Sequence, residues 1–402
     1  MPWRESPGLW PGFARLIDAL DADGGATRVV GGAVRDTLLG FPVSDVDLAT
    51  RFAPDVVVRR LEAAGIKAVP TGLAHGTVTA VCDGRPFEVT TLRRDVETDG
   101  RHAVVAFTDS WEEDASRRDF TINALYADPA SGELFDYFGG LDDLAGPCVR
   151  FIGDPRRRIA EDHLRILRFF RFHARFAGAR PPDADGLAAC VARANDLMAL
   201  SRERIADEIL KLLALPAPAA TLGLMVDAGI LLPVLPEIDA GGVEALARLV
   251  DTEARVGVAT DPLRRLAATL PAEPEIVDAV AARLRSSKAA RARLACVAAR
   301  DARDADDPDA LAYWSGVACA RDRLLLGKRL DPARIARLDG WEKPRLPIGG
   351  GALIARGLDA GPGVAILLKR IEAAWVKAGF PNGDAFEKIV AHYVAEALRD
   401  SQ

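Results

Sequence analysis

A chain of 402 residues has room for two to four domains, and with 49% of its side chains apolar it can bury a sizeable core. Its net charge of −6 excludes a uniformly basic nucleic-acid binder. No apolar run approaches the roughly 20 residues that span a bilayer, and the start MPWRESPGLWPGF lacks the basic end and apolar core of a signal peptide, so a cytoplasmic protein without membrane contact is expected.

In chain order, residues 8–22 predict a short leading helix. From Thr27 to about Asp136 the pattern is mixed α/β. β-rich runs occur at ATRVV, VSDVDLA, GTVTAVC, PFEVTTL, AVVAF and ELFDYF, with helical patterns at 33–39, 54–64 and 119–127. Strand signals vanish from about Pro155. Long Ala/Leu/Arg stretches of 3.6-residue period follow, among them RRRIAEDHLRILRFFRFHARF and SRERIADEILKLLAL. Cys82, Cys148, Cys190, Cys296 and Cys319 are scattered, odd in number and without a CxxC pair, which indicates neither a disulfide framework nor a zinc site. Trp314, Trp341 and Trp375 are expected in the core.

The most informative stretch is VVGGAVRDTLLGFPVSDVDLAT, residues 29–50. Asp45 and Asp47 alternate along an apolar segment, so on a strand both carboxylates point the same way. Held beside a phosphate they would repel each other unless a divalent cation joined them, and carboxylate plus substrate phosphate is the usual Mg²⁺ environment. Gly31 and Gly32 let the backbone approach a phosphate at a helix start. The combination points to nucleotidyl transfer by metal ions. In RRDFTINALY, Arg117 and Arg118 sit at the mouth of an expected amphipathic helix, with Asp119 at its N-cap or first turn and Asn123 one turn on. Two guanidinium forks there could grip a triphosphate.

The third group is EDHLRILRFFR. Nine arginines between Arg150 and Arg180 face only Asp154, Glu161 and Asp162, a basic stripe in an acidic chain. On one helix Asp162 would lie beside Arg165, with Arg168 and Arg171 continuing the stripe. A carboxylate accepting from an exocyclic amine, while a guanidinium donates to the adjacent ring nitrogen, selects C and A. U and G present the opposite polarity and would leave charged groups unpaired.

GGAVRDTLLG, SDVDLAT, HGTVTAV, EVTTLR, RRDFTINALY, EDHLRILRFFRF and SRERIADEILKLL together resemble class II tRNA nucleotidyltransferases, the CCA-adding enzymes of the bacterial poly(A) polymerase and CCA-transferase family in the DNA polymerase β superfamily. The likeness covers roughly residues 25–215. It implies an α+β protein with a mixed α/β nucleotidyltransferase head (1–145), then an all-α neck (146–215), body (216–340) and tRNA-contacting tail (341–402). It also implies addition of C, C and A to tRNA 3′ ends from CTP and ATP, without a nucleic-acid template and with Mg²⁺. Asp45 and Asp47 match metal ligands, and Gly32, Arg35 and Arg117, with Arg118 adjoining, match nucleotide contacts. Asp162 and Arg165 match the protein template, and Arg168 and Arg171 further nucleotide contacts. Where the family often has proline after the acidic pair, this chain has His163. Glu88 stands open as a third carboxylate.

Poly(A) polymerase is the nearest rival, opposed by the lack of a strongly basic C-terminal extension. The stretch 95–110 resembles the loop tied to the switch to A, which disfavours CC-only addition; an A-only enzyme stays open. An idle RNA-binding relative would be expected to have lost one of the two Asp residues. No His is followed by Asp, so a metal-dependent phosphohydrolase module is not expected.

Overall fold

The computed structural model describes residues 10–21, 24–98, 103–178, 180–329 and 331–400, with side chains at 74, 95–98, 103–105 and 400 not described. The centre of the stretch expected to form the flexible loop, 99–102, lies outside them. The chain divides into two compact units, Met1–Ala240 and Gly241–Gln402.

In the first unit, helix α1 (Phe13–Asp21) buries Phe13, Leu16, Ile17 and Leu20. Among the described residues a seven-stranded sheet runs β3-β4-β5-β2-β1-β8-β9. Its strands are β1 (Thr27–Val30), β2 (Asp47–Thr50), β3 (Lys67–Gly72), β4 (Thr77–Cys82), β5 (Arg85–Thr91), β8 (Leu125–Ala127) and β9 (Leu134–Asp136), with β6 (Arg93–Thr98) and β7 (Ala103–Phe107) forming a separate ribbon. β2 pairs antiparallel with β1 and parallel with β5. Helix α2 (Gly32–Leu38) follows β1, and α3 (Pro54–Ala63) follows β2.

The segment 119–127 is not the expected helix. After α4 (Trp111–Ser116) comes a 3-10 turn at Thr121–Asn123, then β8. β8 lies inside the sheet between β1 and β9, and Leu125, Tyr126 and Ala127 are all buried, with α2 packed against the strand and the Trp111 ring edge-on to Tyr126 at 5.4 Å. A strand covered on both faces is a plain apolar run, which periodicity cannot separate from a helix. Asp119 caps no helix; its Oδ1 accepts from Phe120 N and Asn123 Nδ2 at 2.9 Å.

From Pro155 onward the described regular structure is helical. The long helix expected through 156–176 is broken. One helix spans Pro155–Glu161 and another Arg165–Phe172, with Asp162 extended between them at φ −152°, ψ 108°. Asp162 Oδ1 accepts from Leu164 N at 3.1 Å, the local side-chain bond by which aspartate competes with helix continuation. The apolar period carries on across the break, with Ile159 before it and Ile166, Phe169 and Phe170 after it all fully buried. A π-helical turn at His173–Ala177 closes the segment.

The second unit is wholly helical among its described residues. It buries Glu253 bound by the Arg264 and Arg265 guanidinium groups, each at 2.8 Å and each nearly solvent-free. Cys296 and Cys319 form a disulfide between helices Lys288–Ala298 and Val317–Leu326, contrary to expectation. Sequence spacing gave no sign of it; the packing of the two helices brings their Cα atoms to 6.3 Å. Trp375 is core and Trp341 packs against it half-buried, but Trp314 is 56% exposed, so only part of that expectation holds.

Candidate functional site

β1 ends at Val30, opposite Asp47 of β2, and the chain turns through Gly31 at φ 70° into α2. A side chain there would strain the backbone, and a Cβ would sit 3.6 Å from Arg118 Nη1. Next in the sheet, Asp47 and Glu88 each precede by one residue the parallel pair Leu48–Val89. They therefore project to the same face. Asp45 lies just before the strand, not within it. Asp45 and Asp47 are exposed while Val46 between them is buried, so the alternation holds. Ser44 Oγ donates to Asp45 Oδ2 at 2.9 Å, and Arg85 holds the Ser44 carbonyl at 2.7 Å.

Asp47 keeps solvent access in a crowded, recessed position. Desolvation first, then the charges of Glu88 and Asp45, push its carboxyl up to about 6 against the pull of Arg118. Three acids and one guanidinium leave an excess of negative charge that a cation would relieve. Among the described residues no three His, Cys, Asp or Glu side chains form a closed metal cage. The donor set is open, which fits a hard cation that keeps water and substrate phosphate as ligands.

Arg117 and Arg118 are braced from behind by Asp114, which is 1% exposed. Its oxygens take Arg117 Nε at 2.8 Å, Arg118 Nη2 at 3.1 Å and the Tyr126 hydroxyl at 2.8 Å. Burial alone would raise the Asp114 carboxyl, but Arg118 and Arg117 hold it down at about 2.

Arg35, expected at the nucleotide, is 5% exposed. Its Nε donates to Asp36 at 2.8 Å, it bonds Asn123 Oδ1, and its guanidinium lies 4.4 Å over the Phe176 ring. This is an internal clamp with little surface left for a ligand. The π turn that seats Phe176 also carries Arg175 to Asp36 at 3.0 Å.

Asp162 and Arg165 do not meet as one-helix neighbours. Both Asp162 oxygens receive Arg204 Nη2, at 3.1 and 2.8 Å. Arg165 donates to Glu161 at 2.7 Å and to the carbonyls of Arg158 and Arg117 at 2.9 Å. Arg168 bonds Asp119 at 2.8 and 2.6 Å, and Arg171 bonds Glu208 at 2.6 Å. The stripe is thus largely paired, and Arg165 and Arg168 fasten the 155–177 helices to the RRD segment that places Arg118 by Asp47. Nothing local in the sequence points to Arg204, 42 residues from its partner Asp162. Asp114, by contrast, carries a usable sequence signal in its i+3 and i+4 spacing to Arg117 and Arg118.

Residues 27–150 match the poly A polymerase head domain, and 183–241 match a probable RNA and SrmB-binding site of polymerase A. The mitochondrial CCA tRNA nucleotidyltransferase 1 of Mus musculus is 34% identical over 387 residues, 92% of this chain and 87% of the relative. The chain belongs to the CCA tRNA nucleotidyltransferase family. The CCA-adding enzyme of Streptococcus gordonii is 33% identical over 380 residues, covering 91% of this chain and 93% of the relative. Among solved structures, the Bacillus stearothermophilus CCA-adding enzyme in complex with CTP matches with a TM-score of 0.71 and 26% identity, over 97% of this chain and 99% of that one. Family membership carries with it the nucleotidyltransferase fold and a transferase activity on nucleotides, generally with divalent metal ions.

Proposed function

We propose that this protein adds C, C and A to the 3′ ends of tRNA, taking CTP and ATP and releasing pyrophosphate, with no nucleic-acid template. Relatives bearing that activity in their names, matched over most of both chains, support it. The observation that carries it is the outward pair Asp45 and Asp47, joined by Glu88 and faced by Arg118. The tRNA 3′-hydroxyl oxygen attacks the α-phosphorus, the bond to the bridging oxygen of the leaving pyrophosphate breaks, and the hydroxyl proton passes to solvent water. Asp45 and Asp47 would hold two Mg²⁺ ions, with Glu88 beside them; such ions lower the hydroxyl pKa and neutralise the departing phosphates.

Arg117 and Arg118 grip the triphosphate, and Gly31–Gly32 let it approach the backbone. Asp162 and Arg165 read the base. Arg204 fixes the Asp162 carboxylate while leaving lone pairs for an exocyclic amine. Arg165 uses three of its five N–H donors internally and keeps two for a ring nitrogen. We assign 1–145 to the catalytic head, 146–215 to the selecting neck, 216–340 to the body and 341–402 to a tRNA-contacting tail. No helix among the described residues is long and apolar enough to cross a membrane; the proposed workplace is the cytoplasm.

The test uses tRNAs ending at the discriminator base, at C and at CC, each with one nucleoside triphosphate and Mg²⁺. The expected products are C, C and then a single A. Growth of A beyond one residue would replace this reading with polyadenylation, and no extension would remove it.

A further inference from the structure

The second unit contains a cavity of about 730 Å³ that the chemistry above does not use. Arg248 and Arg255 of helix Ala240–Val256, Arg300 and Lys328 line it, over an apolar floor that includes Leu249 and Leu325. Four cations converge in a chain whose net charge is −6.

Their partners are few. Arg255 and Lys328 have no ion-pair or hydrogen-bond partner among the described residues, and Arg248 has only the exposed Glu244 at 3.6 Å. Arg300 is half-buried, yet its guanidinium reaches no carboxylate, only the Val297 carbonyl at 3.3 Å. Burial, then the neighbouring Arg323, lowers its pKa, because nothing acidic compensates the charge. Arg323 itself is already paired with Asp304 at 2.6 Å. The one acid in the lining, Asp301, is bonded to Arg303 at 3.2 Å. A desolvated guanidinium without a counter-charge costs free energy unless a ligand supplies one.

We propose that this cavity is an anion site taking phosphate groups carried on a body with an apolar or planar face, as a nucleotide or an RNA backbone presents them. The guanidinium forks of Arg248, Arg255 and Arg300 match phosphate oxygens, Lys328 adds a point charge, and the leucine floor accepts the sugar or base. The site is formed by residues of the second unit alone and stands whether or not the head performs CCA addition.

The charge-reversed protein Arg255→Glu/Lys328→Glu changes two exposed side chains, so the fold should persist, as circular dichroism can verify. Calorimetry with inorganic tripolyphosphate, and fluorescence anisotropy with tRNA lacking its CCA end, are run on the full-length wild type and the variant at several salt concentrations. If the phosphate comes from RNA, tRNA affinity falls about tenfold. The slope of log affinity against log salt then becomes shallower by about one to two, since each lost phosphate contact removes about 0.7 to 0.9. If it comes from a free polyphosphate, tripolyphosphate stoichiometry drops by one site. In either case Arg255→Lys should restore most of the loss seen in Arg255→Glu. A folded double variant that leaves tRNA affinity, salt slope and tripolyphosphate stoichiometry unchanged overturns the proposal.

Discussion

Replacing Asp114 by asparagine should loosen the RRD segment and destabilise the head, by an amount that depends on pH. The carboxylate is 1% exposed and accepts from Arg117, Arg118 and the Tyr126 hydroxyl. Its pKa falls from 3.8 to about 2, and at about 1.4 kcal/mol per unit this corresponds to about 2 kcal/mol of stabilisation. The folded pKa is depressed, so the contribution is complete above the ordinary carboxylate value and disappears as pH falls through 2; roughly half remains at pH 3. Leaving Arg117 and Arg118 without their counter-charge brings the total at pH 7 to about 3–5 kcal/mol. Urea unfolding of wild type and Asp114→Asn at pH 7 and pH 3 measures it. The gap should narrow by about 1 kcal/mol at the lower pH. A gap under about 0.5 kcal/mol at pH 7, the range of an ordinary surface change, or one equal at both pH values, would mean that the Asp114 charge does not brace the two arginines.

Asp45→Ala and Asp47→Ala should each abolish nucleotide addition while leaving circular dichroism and thermal unfolding near wild type; normal extension by either protein removes the assignment. Arg204→Ala should leave CTP addition active but reduce the preference for C over U by about tenfold, read as a ratio of kcat/KM, because Asp162 loses the group that orients it. In the second unit, Glu253→Gln should cost about 3 kcal/mol by stranding Arg264 and Arg265. Glu244→Gln, on an exposed pair, should cost under about 0.5 kcal/mol in the same unfolding experiment. Equal effects of these two changes would mean that burial of the Glu253 cluster is not what gives it weight.

The part of the site that could be read from sequence is the part fixed by local periodicity. Asp45 and Asp47 emerged from the two-residue repeat of an extended chain, and Gly31 from the turn that must precede a helix. What could not be read depends on partners distant in sequence. β8 reads as helix because every residue of Leu125–Ala127 is buried under elements distant in sequence, α2 and Trp111 among them, which erases the two-residue alternation. The periodicity puts Asp162 and Arg165 on one helix because the apolar repeat runs through a break that side-chain bonds mark, Leu164 N to Asp162 and Arg204 to the same carboxylate. The resemblance puts Arg35 at the nucleotide, and nothing local in the sequence shows that Phe176 and Asn123, far along the chain, pack against and bond its guanidinium. Two cysteines 23 residues apart likewise become partners only through helix packing.

If the acids at the edge of β2 hold the cations of nucleotidyl transfer, metal density must lie against them. Crystals grown with CTP and Mn²⁺ in place of Mg²⁺ test it most directly, since anomalous scattering locates the metal without reference to activity. Peaks against the Asp45 and Asp47 carboxylates, lost in Asp47→Ala crystals, are predicted. Bound CTP with no anomalous peak at those two residues would mean that Asp45 and Asp47 do not hold the metal.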